Sequence, residues 1–139
     1  DRLIEKRESK NIQEIINENG WDYFRLKEKE VIKDVSKENN AVIALGGGAL
    51  MNKENVDTLK NSLFILLKAD ISTMRSRMEK DAPRPSLTKT NSADEIGIVM
   101  AERMSIYEEI ADIIIDTDNL SIYEVCDKIL LELEKRGMI

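Results

Sequence analysis

Three short runs in this chain are apolar without interruption: residues 41–45 (AVIAL), 63–67 (LFILL) and 113–115 (III). A strand with one wet face alternates apolar and polar side chains, whereas a strand covered on both faces does not. Segments with helical periodicity separate the runs. The order predicts an α/β fold with a mostly parallel sheet flanked by helices.

The helices have readable starts. Asn11-x-x-Glu14, Ser92-x-x-Glu95 and Ser121-x-x-Glu124 carry capping-box spacing, in which side chains satisfy the orphan amides of the first turn. Residues 21–35 place Trp21, Phe24, Val31 and Val35 on one stripe, and residues 92–110 do the same with Ile96, Val99, Met100 and Tyr107. The last helix is expected to bury Ile122, Cys126, Ile129 and Leu133, which makes the one cysteine a small core residue. Residues 81–91, with Pro83 and Pro85, form a loop longer than most helix connections, and loops of that length often act as lids.

A length of 139 residues predicts a single domain, and 42% hydrophobic residues suffice for a core. The formal charge of −6 argues against a general nucleic-acid binder. No apolar run reaches membrane-spanning length, and the first residues lack a signal-peptide layout. One cysteine excludes an intrachain disulfide and suits a reducing cytosol. With no histidine, chemistry must rest on carboxylates, Arg, Lys and backbone groups.

Gly46-Gly47-Gly48 follows the first apolar run directly. Ligands of parallel α/β sheets bind beyond the carboxyl ends of the strands, and glycines there let backbone amides approach a ligand. A tight turn is the plain alternative. Arg103 lies on the apolar stripe between Met100 and Tyr107, a costly place for a guanidinium unless an anion pairs with it. A structural salt bridge would also explain it. Glu28 shares the stripe of Trp21 and Phe24, and Arg25 three residues earlier can pair with it, either to fix a carboxylate-binding fork or as a surface ion pair. Arg84, between two prolines, could swing onto a transferring phosphoryl group, with Arg75 and Arg77 adding charge before the loop.

Taken in order, Asp1-x-x-Ile4-Glu5, Phe24-Arg25-x-x-Glu28, Gly46-Gly47-Gly48-Ala49, Arg84-Pro85, Arg103-x-x-x-Tyr107 and Asp116-Thr117 resemble the shikimate kinase family over essentially the whole chain. The resemblance implies a P-loop nucleoside-monophosphate-kinase-like fold, with a substrate-binding region at about 1–60 and a lid at about 81–93. It implies transfer of the ATP γ-phosphoryl group, with Mg2+, to the 3-hydroxyl of shikimate in chorismate and aromatic amino acid biosynthesis. By matching positions, Asp1 is the expected general base and contacts the ring hydroxyls. Arg25 and Arg103 clamp the substrate carboxylate, and Glu28 orients Arg25. Phe24 forms an apolar wall, and Gly46, Gly47 and Gly48 line the substrate. Arg84 reaches the phosphates, while Arg77, Asp116 and Asn119 lie where the family holds the nucleotide base. A cytoplasmic monomer without nucleic-acid or membrane partners is expected.

Two departures stand out. The lid reads Arg84-Pro85-Ser86-Leu87, with serine where the family usually has leucine. The family also opens with a strand, a Gly-x-x-Gly-x-Gly-Lys-Ser/Thr loop, a helix and a second strand, none of which is in this sequence. The chain starts at the second Asp of an Asp-x-Asp pair, so no metal ligand is expected within it. In the family's strand order, 2-3-1-4-5, the first strand separates runs 41–45 and 63–67. The expectation is therefore a longer natural protein, and poor folding and no catalysis by these 139 residues alone.

Other readings remain open: a non-catalytic relative that binds a metabolite or a protein, a kinase for another polyol acid or a nucleotide, or glycines and arginines serving structure only. Arg103→Ala separates them. The kinase reading expects a selective rise in KM for shikimate, about tenfold or more for a lost charged contact, at near-normal stability. Loss of stability with normal affinity would favour a structural arginine.

Overall fold

The computed structural model describes residues 1–78 and 93–139. The Ser92-x-x-Glu95 capping box, the lid loop, Arg84, Ser86 and the side chain of Ile96 lie outside the described residues. The chain divides into two compact units, one holding Asp1–Ser62 and the other the described residues from Leu63 to Ile139.

The first unit is helical. Helix α1 (Arg2–Glu8) ends on Ser9 in the left-handed conformation, and helix α2 (Ile12–Val35) starts at Asn11 with both halves of the capping box formed. Gly20 interrupts α2 with φ 82° and ψ 173°, so two helical segments meet at an angle there. Ile4 of α1 packs into a cluster with Ile15, Phe24 and Val31 of α2, flanked by Trp21, Tyr23 and Val35. Burying each large side chain contributes roughly 1.5–3 kcal/mol, which is what holds so short a helix as α1 in place. The Tyr23 hydroxyl donates to Glu8 at 2.7 Å and pins the end of α1. A 3-10 turn (Ala49–Met51) and helix α3 (Lys53–Thr58) complete the unit, with Asn52 capping α3 through the Glu54 amide.

The second unit is built on strands β1 (Ile65–Lys68) and β2 (Ile113–Asp116). They pair in parallel, Ile65 opposite Ile113 and Lys68 opposite Asp116. Asp112 starts the ladder by accepting from the Phe64 amide at 2.8 Å. Helices α4 (Ile71–Met78), α5 (Ala93–Ile110) and α6 (Ile122–Lys135) flank the sheet, and Ser121 forms the predicted capping box of α6. The α/β class with a parallel sheet is thus the one found.

Two expectations need correction. Residues 41–46 form no strand, and Val42 is fully exposed. A strand needs a ladder partner for its amides and carbonyls, and none of the described residues supplies one. The apolar face of α6 is not buried either: Ile122 is 82% exposed, Cys126 is exposed, and Ile129 and Leu133 are half-buried. The sequence stripe is real, but among the described residues only β2 packs closely on α6, too little surface to cover it.

Gly20 supplies a direct test of the helix interruption. A Cβ there would meet no atom within 4 Å, so Gly20→Ala adds backbone strain alone. A loss of about 1–3 kcal/mol is expected for an L-residue in that region, read from the urea midpoint.

Candidate functional site

Within the first unit, α2 and the glycine turn bring six of the expected residues together. Phe24, Arg25 and Glu28 lie on one side of α2, where i, i+1 and i+4 spacing keeps them near one another. Phe24 is buried and meets Trp21 edge-on, with ring centroids 5.8 Å apart. The Arg25 guanidinium lies over both rings, its Cζ 5.4 Å from the Trp21 centroid and 5.2 Å from that of Phe24. Its Nη1 donates to Glu28 Oε2 at 2.7 Å. Glu28 is only 5% exposed, so this is not a surface ion pair. A buried carboxylate requires its partner, and the partner is thereby held in one orientation.

The turn after residue 45 closes the arrangement. The Ala49 amide donates to Gly46 O at 3.0 Å and the Met51 amide to Gly48 O at 3.2 Å. The buried Asn55 of α3 donates to Ala49 O at 2.8 Å, which ties the turn to the helix behind it. Glycine is needed here for space. A Cβ on Gly48 would stand 2.8 Å from Arg25 Cζ, and one on Gly46 would stand 2.8 Å from Asp1 Oδ1 and 3.6 Å from Glu28 Oε1. The turn therefore lies directly against Arg25, Glu28 and Asp1.

Two hollows open beside this group. One of about 470 Å³ is lined by Asp1, Glu28, Gly46 and Gly47 together with Ile4 and Ile43. The other, of about 430 Å³, is lined by Arg25, Gly48, Met51, Asn52 and Lys53. A cation, a carboxylate and a glycine backbone within one small region suit a polar molecule carrying both an acid and hydroxyl groups.

The second unit holds the other expected residues. Arg103 lies on α5 and is half-buried, as are Met100 and Tyr107 of its stripe. Arg77 of α4 grips the loop after β2: Nη1 donates to Thr117 Oγ1 at 2.9 Å and Nη2 to Thr117 O at 2.8 Å. Asp116 is used within that loop, accepting from the Asp118 amide at 2.9 Å, and the exposed Asn119 turns the chain with φ 56°. Asp118 accepts from the Asp70 amide at 3.1 and 3.0 Å. The Thr73 hydroxyl first, then that amide and Arg77, hold its carboxyl below the ordinary range against the cost of desolvation.

Three contributors escaped the sequence reading. Trp21 counted only as a stripe residue, although its spacing of four from Arg25 is the one that stacks a cation on a ring. Asn55 sits mid-helix with no distinguishing pattern. Thr117 was visible only as the neighbour of Asp116.

Comparison with known proteins identifies the family. The family model described as Shikimate kinase matches residues 1–134. The chain is 33% identical to a shikimate kinase of Dehalococcoides mccartyi over 136 residues, covering 97% of this chain and 77% of that one. It is 35% identical to that of Thermodesulfovibrio yellowstonii, covering 97% and 78%. Among solved structures it is similar to the shikimate kinase from Acinetobacter baumannii in complex with shikimate, with a TM-score of 0.91 at 25% identity over 100% of this chain and 78% of that one. It is also similar to that of Aquifex aeolicus, with a TM-score of 0.82 at 33% identity over 99% and 80%.

The Arg25–Glu28 pair makes a prediction that needs no ligand. Arg25→Leu leaves a buried carboxylate without its cation and should cost about 1–3 kcal/mol, since Arg25 itself is partly solvated. Adding Glu28→Gln should recover part of that loss. Additive losses in urea denaturation would show that the two side chains do not depend on each other.

Proposed function

The chain belongs to the shikimate kinase family, and from that premise we propose how its own residues serve transfer of the ATP γ-phosphoryl group to the 3-hydroxyl of shikimate. The observation that carries the reading is the Arg25 guanidinium, held by Glu28 and two aromatic rings against the glycine turn. Arg25 takes the substrate carboxylate with the donors that Glu28 leaves free. Arg103 is its second clamp. Phe24 walls the ring, and the backbone of Gly46, Gly47 and Gly48 allows the ring to approach closely.

Asp1 acts at the hydroxyl. Its carboxylate reaches the Gly46 edge of the same turn. There it accepts the proton of the attacking hydroxyl as that oxygen bonds to the γ-phosphorus and the bond from this phosphorus to the ADP oxygen breaks, ADP leaving. A carboxylate serves here because phosphoryl transfer depends mainly on positioning and on charge around the transferring group. Arg84, on the expected lid, supplies positive charge to that group. Arg77 with the 116–119 loop holds the nucleotide base.

Mg2+ is proposed to arrive with the phosphates of ATP, the usual mode for a cation that dehydrates reluctantly. Among the described residues no group of three or more Asp, Glu, Cys or His side chains could hold a metal ion. These described residues by themselves do not fit a protein-held ion. The protein is proposed to act as a cytoplasmic monomer. Separately, no described helix is long and apolar enough to cross a membrane.

The test is ADP release from ATP and Mg2+ with and without shikimate. Shikimate-dependent release is expected, and its absence from the intact protein would remove the kinase reading in favour of a metabolite-binding relative. Gly48→Ala displaces Arg25 from its seat and should raise KM for shikimate by about tenfold or more, with KM for ATP nearly unchanged.

A further inference from the structure

Thr117 follows the last residue of β2 and is 3% exposed. Its amide donates to Lys68 O at 2.8 Å, which extends the ladder by one bond beyond the strands. Its hydroxyl donates to the same carbonyl at 3.0 Å. A hydroxyl has one proton, so that bond commits it and turns the oxygen's lone pairs elsewhere. Arg77 Nη1 donates to that oxygen at 2.9 Å, and Nη2 donates to the Thr117 carbonyl at 2.8 Å. The Leu120 amide also donates to this carbonyl, at 3.3 Å.

We propose that Thr117 is a positioning residue for the nucleotide, setting the plane of the Arg77 guanidinium. The proposal rests on the nucleotide role given to Arg77 above. Two in-plane hydrogen bonds, to two atoms of one residue anchored on the sheet, stop a guanidinium from turning about either bond. Its edge is occupied and its faces carry none of these bonds, so a flat heteroaromatic ring is the ligand such a group receives best. Arg77 remains exposed while both terminal nitrogens are engaged. A part-buried tie to an exposed arginine adds modestly to stability, and its main physical consequence is orientation.

Among the described residues, removing the hydroxyl leaves Arg77 one hydrogen bond to the loop, about which it can pivot. The experiment titrates ADP into the intact protein and its Thr117→Val and Thr117→Ser variants by calorimetry, with KM for shikimate measured alongside. Valine keeps the shape and loses the hydroxyl, and serine keeps the hydroxyl. Kd for ADP is expected to rise about tenfold in Thr117→Val, the effect of one hydrogen bond to a charged group. It should stay within about threefold of wild type in Thr117→Ser. KM for shikimate should not move in either variant.

Unchanged ADP affinity in Thr117→Val would overturn the proposal, as would equal weakening in both variants or wild-type protein that binds no ADP. A parallel loss of shikimate affinity in Thr117→Val would mark a general structural role and overturn it too. If ADP binding follows the hydroxyl but no shikimate-dependent turnover exists, the positioning role stands and the kinase reading falls.

Discussion

The ion pair between Arg25 and Glu28 is the contact on which the first unit's site depends. A carboxylate at 5% exposure is unfavourable by itself. It is tolerated because Arg25 meets it at 2.7 Å, and Arg25 in turn is held by the faces of Trp21 and Phe24. The glycine turn can then lie against the guanidinium, because Gly48 has no Cβ to push it away. Each part restricts the next: the core residue Phe24 sets the ring, the ring and Glu28 set the arginine, and the arginine requires glycine.

The second unit uses a different device for a similar end. Its parallel ladder runs on by one residue to Thr117, and that residue's hydroxyl and carbonyl take hold of Arg77. Orientation of a cation again comes from rigid surroundings and not from its own long side chain. Arginine suits both places because its planar fork loses less freedom on binding than a lysine would.

Much of this was legible in the residues. The Asn11 and Ser121 capping boxes formed as their spacing required, and two of the three apolar runs became strands. The i,i+3 spacing of Arg25 and Glu28 was enough to foresee the pair, since helix geometry is local. Run 41–45 was misjudged because its composition fits a buried strand, while strand formation depends on a partner that composition does not specify. Cys126 and Ile122 misled for the same reason: periodicity shows which side chains share a face, not whether anything covers it.

The sequence by itself therefore determined what depends on near neighbours: helix starts, the stripe that places Glu28 among apolar residues, and the ordered set of residues that marks the family. Only the tertiary structure decided what depends on contacts between distant segments. Gly46 reaches Asp1 across 45 positions, Gly48 reaches Arg25 across 23, and Thr117 reaches Arg77 across 40. Helical and turn preferences act over a few residues and carry no information about such distances, which are set by how the packed elements meet.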